Sequence, residues 1–339
     1  MTSEGSAAYV ERLERAREEL VSRGLEAAVI TRPENIFFLT GYRAAGIAAA
    51  TAKLHALLLP AEGEPSMLVR SLERRTSEAM VSVDRLVYDD AEDPFALLAE
   101  RMAEIVRGPG APVGVELQRI SAYRLQRLLD RLDESGSGVL PVDVSGLIEA
   151  HSLILGTPEI ASMRRAAQVS AAGLRTGLAA SGPGVAAADV VGQVQAAMYA
   201  AGQTDFEKSF VALWSGPHGG LMHDTRLDRT LASGDVATVE VMGVDNHYIA
   251  CAQATVPVGN APDGFAAVQD LVHSLHDAAR AAVRPGARAG DVFAAASRIY
   301  EQETGTPYFR RAGDRWASRR SVWTSSRATT RSFRSALRC

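Results

Sequence analysis

The stretch from Leu231 to Thr255 constrains the fold most. It runs from a polar turn, Leu231-Ala232-Ser233-Gly234-Asp235, into two apolar strand-like runs, Val236–Val241 and Tyr248–Thr255. Short apolar runs bounded by turn residues are the pattern of buried strands. Glu240 lies inside the first of them, Val236-Ala237-Thr238-Val239-Glu240-Val241. A lone carboxylate at a buried position must be paired, bound to a substrate, or protonated. Residue chemistry alone therefore marks Glu240 as a candidate site residue.

A chain of 339 residues, 47% of them hydrophobic, can bury two ordinary cores, so two domains are expected. No apolar run reaches the ~18–20 residues needed to span a bilayer, which argues against a membrane role. The N-terminus is polar and Glu-rich, unlike a secretory signal. Two cysteines, Cys251 and Cys339, argue against a disulfide framework and suit a reducing cytoplasm. The net charge of −4 hides an asymmetry: from Arg310 onward there are nine Arg and one Asp, which leaves −12 on the rest. An acidic body argues against nucleic acid as the main partner.

Along the chain, residues 8–23 show helical apolar spacing with Gly24 as a stop. Ala27-Ala28-Val29-Ile30 is a short buried-strand pattern, and Arg32-Pro33-Glu34-Asn35 then breaks the strand and caps a helical turn. Strand-like runs at 56–59, 66–69 and 114–116 alternate with helical segments near 95–107 and 121–133, the pattern of an α/β domain. A boundary falls near Leu153–Thr157, after which Pro158-Glu159 opens a long amphipathic helix. Pro183-Gly184-Val185-Ala186-Ala187-Ala188-Asp189-Val190 is echoed by Pro285-Gly286-Ala287-Arg288-Ala289-Gly290-Asp291-Val292. Each follows an Ala-rich helix and opens another, either as an internal duplication or as two ordinary helix–turn–helix joints. Residues 310–339 show neither helical nor strand periodicity. They read as a shifted reading frame from about Gly313, or as a solvated basic tail.

Three stretches together carry a family resemblance. They are GLEAAVITRPENIFFLTGY in the first part, the helix from Pro158, and His218-Gly219-Gly220-Leu221-Met222-His223-Asp224-Thr225-Arg226 followed by the Ser233-Gly234-Asp235 turn. This layout resembles the pita-bread hydrolases: methionine aminopeptidase, Xaa-Pro peptidases, creatinase and ectoine hydrolase. The resemblance implies a creatinase/prolidase-like α/β domain over residues 1–152 and an incomplete pita-bread α/β domain over 153–309, followed by an aberrant Arg/Ser-rich tail over 310–339. Metal-using members carry two Asp ligands eleven positions apart on adjacent strands. Here those positions hold Glu240 and Cys251.

An oxygen and a thiol are not a hard dicarboxylate pair, so no metal and no cofactor are expected. The expected function is metal-independent hydrolysis of a C–N bond in a small, cationic nitrogenous compound, like ectoine hydrolase or creatinase. The alternatives are an Xaa-Pro dipeptidase or aminopeptidase, or a non-catalytic binding subunit. His223 matches the proton-shuttling His of creatinase-like enzymes, a task suited to a group with a pKa of ~6.5; otherwise it is a loop His near Asp224. Glu240 is expected to contact a cationic amidine or guanidinium, unless it forms a structural ion pair. Tyr248 would orient substrate through its hydroxyl or pack, and His218 would line the site. Cys251 reads as a small strand residue rather than a nucleophile. Gln253 stands where creatinase has a substrate-binding Glu. Partners are then a small-molecule substrate and, by resemblance, a second copy in a homodimer.

Overall fold

A computed structural model describes residues 3–43, 54–205, 209–221 and 224–308. The Arg/Ser-rich tail and His223 lie outside the described residues. The chain divides into two compact units, Met1–Leu153 and Ile154–Cys339.

In the first unit, helix α1 (Ser3–Ser22) ends at Gly24, whose φ of +67° is natural for glycine. Strand β1 (Ala27–Ile30) follows, then α2 (Pro33–Thr40), with proline in its first turn. Strands β2 (Ala56–Pro60) and β3 (Ser66–Arg70) precede α3 (Arg74–Met80) and β4 (Asp84–Tyr88). Then come α4 (Pro94–Ala103), β5 (Ala111–Val115), α5 (Ala122–Glu134), β6 (Val139–Asp143) and α6 (Leu147–His151). The six strands form one mixed sheet in the order β4-β3-β2-β1-β5-β6. Strand alternation splits its side chains between two cores. Ala28, Ile30, Leu57 and Leu59 pack with Leu13, Leu20, Ile36 and Leu147 from α1, α2 and α6. Ala27, Val29 and Leu58 pack with Phe95, Met102 and Leu128 from α4 and α5. The sequence pattern misses the edge strands β4 and β6, because Asp84-Arg85 open the first and Pro141 interrupts the apolar residues of the second.

The link from β1 to α2 is held from below. Glu116, buried just past β5, accepts hydrogen bonds from the backbone N–H of Thr31 (2.6 Å) and Arg32 (2.8 Å) and from Asn35 Nδ2 (2.5 Å). The buried Arg32 guanidinium pairs with Glu34 (3.2 Å) and with Glu149 of α6. Arg32 and Asn35 thus serve to close this turn, and Phe37, Phe38 and Tyr42 are core residues.

The second unit opens with α7 (Thr157–Ala180) and α8 (Ala187–Ala200), followed by β7 (Phe210–Ser215), β8 (Val236–Asp245) and β9 (Tyr248–Pro257). The three strands form an antiparallel sheet in the order β7-β8-β9. A second helix pair follows, α9 (Phe265–Ala282) and α10 (Ala289–Thr304). The two Pro-Gly joints match in backbone as well as sequence: Gly184 has φ +83° and Gly286 φ +82°.

Helix α7 lies against the sheet through the small residues Ala166, Ser170 and Gly177, while Gly173 lets Met198 and Val194 of α8 approach it. Its Ser170 hydroxyl donates to the Ala250 carbonyl (2.7 Å) and accepts from the Gly243 N–H (2.7 Å), joining β8 and β9 to one helix. A Cβ on Gly243 would sit 2.4 Å from the Ala166 carbonyl oxygen, so only glycine permits this approach. Val169, Val190, Val194 and Met198 cover the helix side of the sheet, where Leu213, Val239 and Val241 are buried.

Three stability predictions follow from these contacts. Gly243→Ala must push α7 off the sheet and is expected to cost about 3 kcal/mol in denaturant unfolding. Gly192→Ala, on an exposed turn of α8 with open space around it, is expected to gain about 0.5–1 kcal/mol. Burial raises the Glu116 carboxyl above its ordinary value, with the charge of Glu149 adding to the shift against three N–H donors. Its raised native pKa means the fold binds that proton more tightly than the unfolded chain, so its contribution falls as pH rises through the native value. Thermal unfolding of Glu116→Gln should therefore improve relative to the parent as pH is raised from about 4.3; a pH-independent difference would refute this.

Candidate active site

The β8–β9 hairpin sets which side chains can meet a ligand. Its register pairs Thr238 with Thr255, Glu240 with Gln253 and Met242 with Cys251. Ala237, Val239 and Val241 point to the helices, together with Ala252 and Val256. Alternation sends Thr238, Glu240 and Met242, with Thr255, Gln253 and Cys251, to the opposite face. Strand β7 adds Trp214 beside Thr238, Ala212 beside Glu240 and Phe210 beside Met242. The Thr238 and Thr255 hydroxyls share a hydrogen bond of 2.9 Å. Cys251 Sγ donates to Glu240 Oε1 at 3.4 Å, and Glu240 makes no ion pair among the described residues.

Beyond β7 the chain makes a short 3-10 turn, Gly216–His218. Gly216 has φ +54°, and a Cβ there would lie 2.7 Å from Asp235 Oδ1. Asp235 also accepts from the Ala232 N–H (2.9 Å), so the Ser233-Gly234-Asp235 turn braces this loop. His218 Nδ1 lies 3.2 Å from Asp224 Oδ2. Arg226 grips the same carboxylate with Nε (2.9 Å), Nη2 (2.8 Å) and its backbone N–H (3.1 Å). The Arg226 guanidinium, helped by His218, holds the Asp224 carboxyl far below the usual carboxylate range. Arg229 ties the loop to β7 through Ser215 Oγ (3.0 Å) and the Leu213 carbonyl.

The residues singled out from sequence thus fall into separate places. Glu240 and Cys251 share one face of the hairpin. His218 belongs to the loop cluster with Asp224 and Arg226, and among the described residues no hydrogen bond or ion pair joins that cluster to Glu240. His223 lies outside the described residues. Tyr248 does not join the Glu240 face. It pairs with Asp245 across the two-residue turn Asn246-His247, where φ is +50° and +66°, and so falls on the helix side of the sheet, 5% exposed. That parity favours packing, the other role the sequence leaves open for Tyr248. Trp214, Ala212 and the Thr238–Thr255 pair have no counterpart in the sequence reading. The Phe-Val-Ala-Leu-Trp-Ser run signals a strand, but only the register shows which of its residues stand beside Glu240.

The pita-bread fold implies a metal centre at the positions of Glu240 and Cys251. Among the described residues no group of three or more His, Cys, Asp or Glu side chains is arranged to hold an ion. The carboxylate and thiol at these positions are joined to each other by an S–H···O bond. They do not supply the hard oxygen set of a dinuclear centre.

Two family models match the chain: the creatinase/prolidase N-terminal domain over residues 12–151 and metallopeptidase family M24 over 161–315. The probable dipeptidase PepE of Mycobacterium bovis is 29% identical over 308 residues, covering 89% of this chain and 77% of the relative. The crystal structure of dipeptidase PepE from Mycobacterium ulcerans superposes with a TM-score of 0.73 at 28% identity, covering 88% of this chain and 78% of the other. Prolidase from Pyrococcus furiosus shares the fold, with a TM-score of 0.78 at 16% identity over 94% of this chain and 88% of that one. These likenesses overturn the expectation of a metal-independent, creatinase-like or ectoine-hydrolase-like function. That expectation rested on two side chains, Glu240 and Cys251, whereas the likeness to dipeptidases extends over both domains. No helix among the described residues is long and apolar enough to cross a membrane. With a creatinase-like first domain, a pita-bread second domain and a model match to each, the chain belongs to the creatinase/Xaa-Pro peptidase superfamily of M24-type hydrolases.

Proposed function

We propose that this protein is a dipeptidase, hydrolysing the single peptide bond of a small peptide substrate. The observation that carries the reading is the 29% identity with a probable dipeptidase, which runs through both domains over 308 residues. The chemistry of the Glu240 face agrees with it. A half-buried carboxylate with no cationic partner among the described residues suits the free α-ammonium of a peptide. In this reading water adds to the carbonyl carbon and the C–N bond breaks. His223 takes the proton from water and passes it to the departing amine, and His218 lines the approach. The Arg226-held Asp224 keeps its negative charge next to His218 throughout the neutral range. The protein acts as a homodimer in a reducing cytoplasm, where Cys251 stays a thiol.

Purified full-length protein should release free amino acids from a panel of dipeptides, Xaa-Pro members included. The assay is run with and without added divalent cations, and the products are followed by mass spectrometry. Turnover of at least one dipeptide class is expected, and absence of turnover across the panel in every cation condition would overturn the reading. His223→Ala is expected to lower kcat by about 10²–10⁴-fold, the usual contribution of a general acid–base. Sedimentation velocity tests the homodimer directly, with a monomer as the refuting result.

A further inference from the structure

The loop between β7 and β8 holds one imidazole between an anion and a cation. Backbone hydrogen bonds from the Gly219 N–H to the Gly216 carbonyl (2.9 Å), from Leu221 to His218 (2.9 Å) and from Asp224 to Leu221 (3.1 Å) fold the loop back on itself. Asp224 is thereby returned to His218. His218 Nδ1 lies 3.2 Å from Asp224 Oδ2 and 3.4 Å from Arg226 Nη2. The two neighbours ask for opposite states of that nitrogen: the carboxylate requires an N–H, the guanidinium a lone pair.

The carboxylate prevails. Its 3.2 Å is a hydrogen-bond length, whereas the 3.4 Å to Arg226 exceeds the ordinary range. The Asp224 side chain is 12% exposed and that of Arg226 61%, so the anion acts in the lower dielectric and the cation is screened. Arg226 also keeps the carboxylate ionised and turned inward by donating to it from Nε, Nη2 and its backbone N–H. A lone pair on Nδ1 would face an anionic oxygen. His218 therefore carries its neutral-form proton on Nδ1, which leaves the lone pair on Nε2. Nε2 makes no hydrogen bond among the described residues, and the side chain is 35% exposed.

We propose that His218 is a second proton acceptor in the hydrolysis, and that Asp224 is the positioning residue that presents its Nε2 lone pair. The inference rests on the dipeptidase reading and extends it. Hydrolysis of a peptide bond draws two protons from one water molecule as its oxygen bonds to the carbonyl carbon and the C–N bond breaks. His223 carries the first proton to the departing nitrogen. The second is left on the new carboxyl group, whose ordinary pKa of ~3.5 lies well below the ~6.5 of an imidazole. His218 Nε2 takes it and releases it to the product amine or to solvent, returning to the neutral Nδ1–H form. In between, the Asp224 carboxylate stabilises the imidazolium through Nδ1–H.

Long-range proton–nitrogen NMR of the full-length, ligand-free protein at pH ~9, where imidazoles are neutral, reads the tautomer without any turnover. His218→Asn identifies the signal. The Nδ1–H form is expected in the parent and the Nε2–H form in Asp224→Asn. Arg226→Gln, which leaves the carboxylate in place, is expected to keep Nδ1–H. An Nε2–H parent, or a tautomer indifferent to Asp224→Asn, would overturn the proposal; the parent spectrum alone decides should Asp224→Asn not fold. With a dipeptide that the parent turns over, Asp224→Asn and His218→Asn are each expected to lower kcat about tenfold or more with KM within about twofold. A role in shaping the loop would instead raise KM and be shared by Arg226→Gln. Unchanged kcat in both variants would also overturn the proposal. An Nδ1–H tautomer in a protein that hydrolyses no dipeptide would uphold the positioning by Asp224 and sink the dipeptidase reading instead.

Discussion

Helix α7 meets strand β8 backbone to backbone, and the arrangement of the second unit depends on that approach. The Ala166 carbonyl comes so near Gly243 that no side chain fits between them, and Ser170 fastens β8 and β9 to the same helix. Once α7 is pressed onto this side, Val239 and Val241 are committed to the core. Period-2 alternation then sends Glu240, with Thr238 and Met242, to the other side. A carboxylate is thereby held on the central strand, without an ion pair among the described residues, because its neighbours in the strand are buried against a helix. The site is a consequence of packing on the face it does not occupy.

The first unit solves a related problem with a buried acid. Glu116 collects three N–H donors at the point where β1 turns into α2. Arg32 spreads one positive charge over Glu34 and Glu149. Such a network is favourable only while its partners are all in place, because a buried charge without one is far more costly than the pair is worth. The Arg32-Pro33-Glu34-Asn35 segment is therefore explained by closing a turn, with proline beginning the helix and Asn35 bound to Glu116.

Much of the fold was legible in the sequence. Helix α1 with its glycine stop, strand β1, the long helix opened by proline and the paired Pro-Gly joints all follow from local rules. The edge strands β4 and β6 did not show, because charged residues open the first and Pro141 interrupts the second. The branch of the superfamily was misjudged for a different reason. Glu240 and Cys251 depart from the metal-binding pattern, but two side chains weigh little against likeness across two domains to dipeptidases.

Glu240 itself stood out in the sequence because a charge within an apolar run is anomalous at any register. Tyr248 and Trp214 show what required the tertiary structure. Counting by twos along the chain puts Tyr248 on the same face as Glu240. The turn at Asn246-His247 instead pairs Tyr248 with Asp245, an odd step from Glu240, and moves it to the helix side. Cys251, at an odd separation from Glu240, comes onto the Glu240 face by the same turn. Trp214 lies far from the hairpin in sequence, and only the pairing of β7 with β8 brings it to the rung next to that of Glu240. Element type and the anomalous charge were determined by the sequence alone, since both depend on neighbours within a few residues. Which side chains share a face was decided by strand pairing, since one residue of register reverses them all.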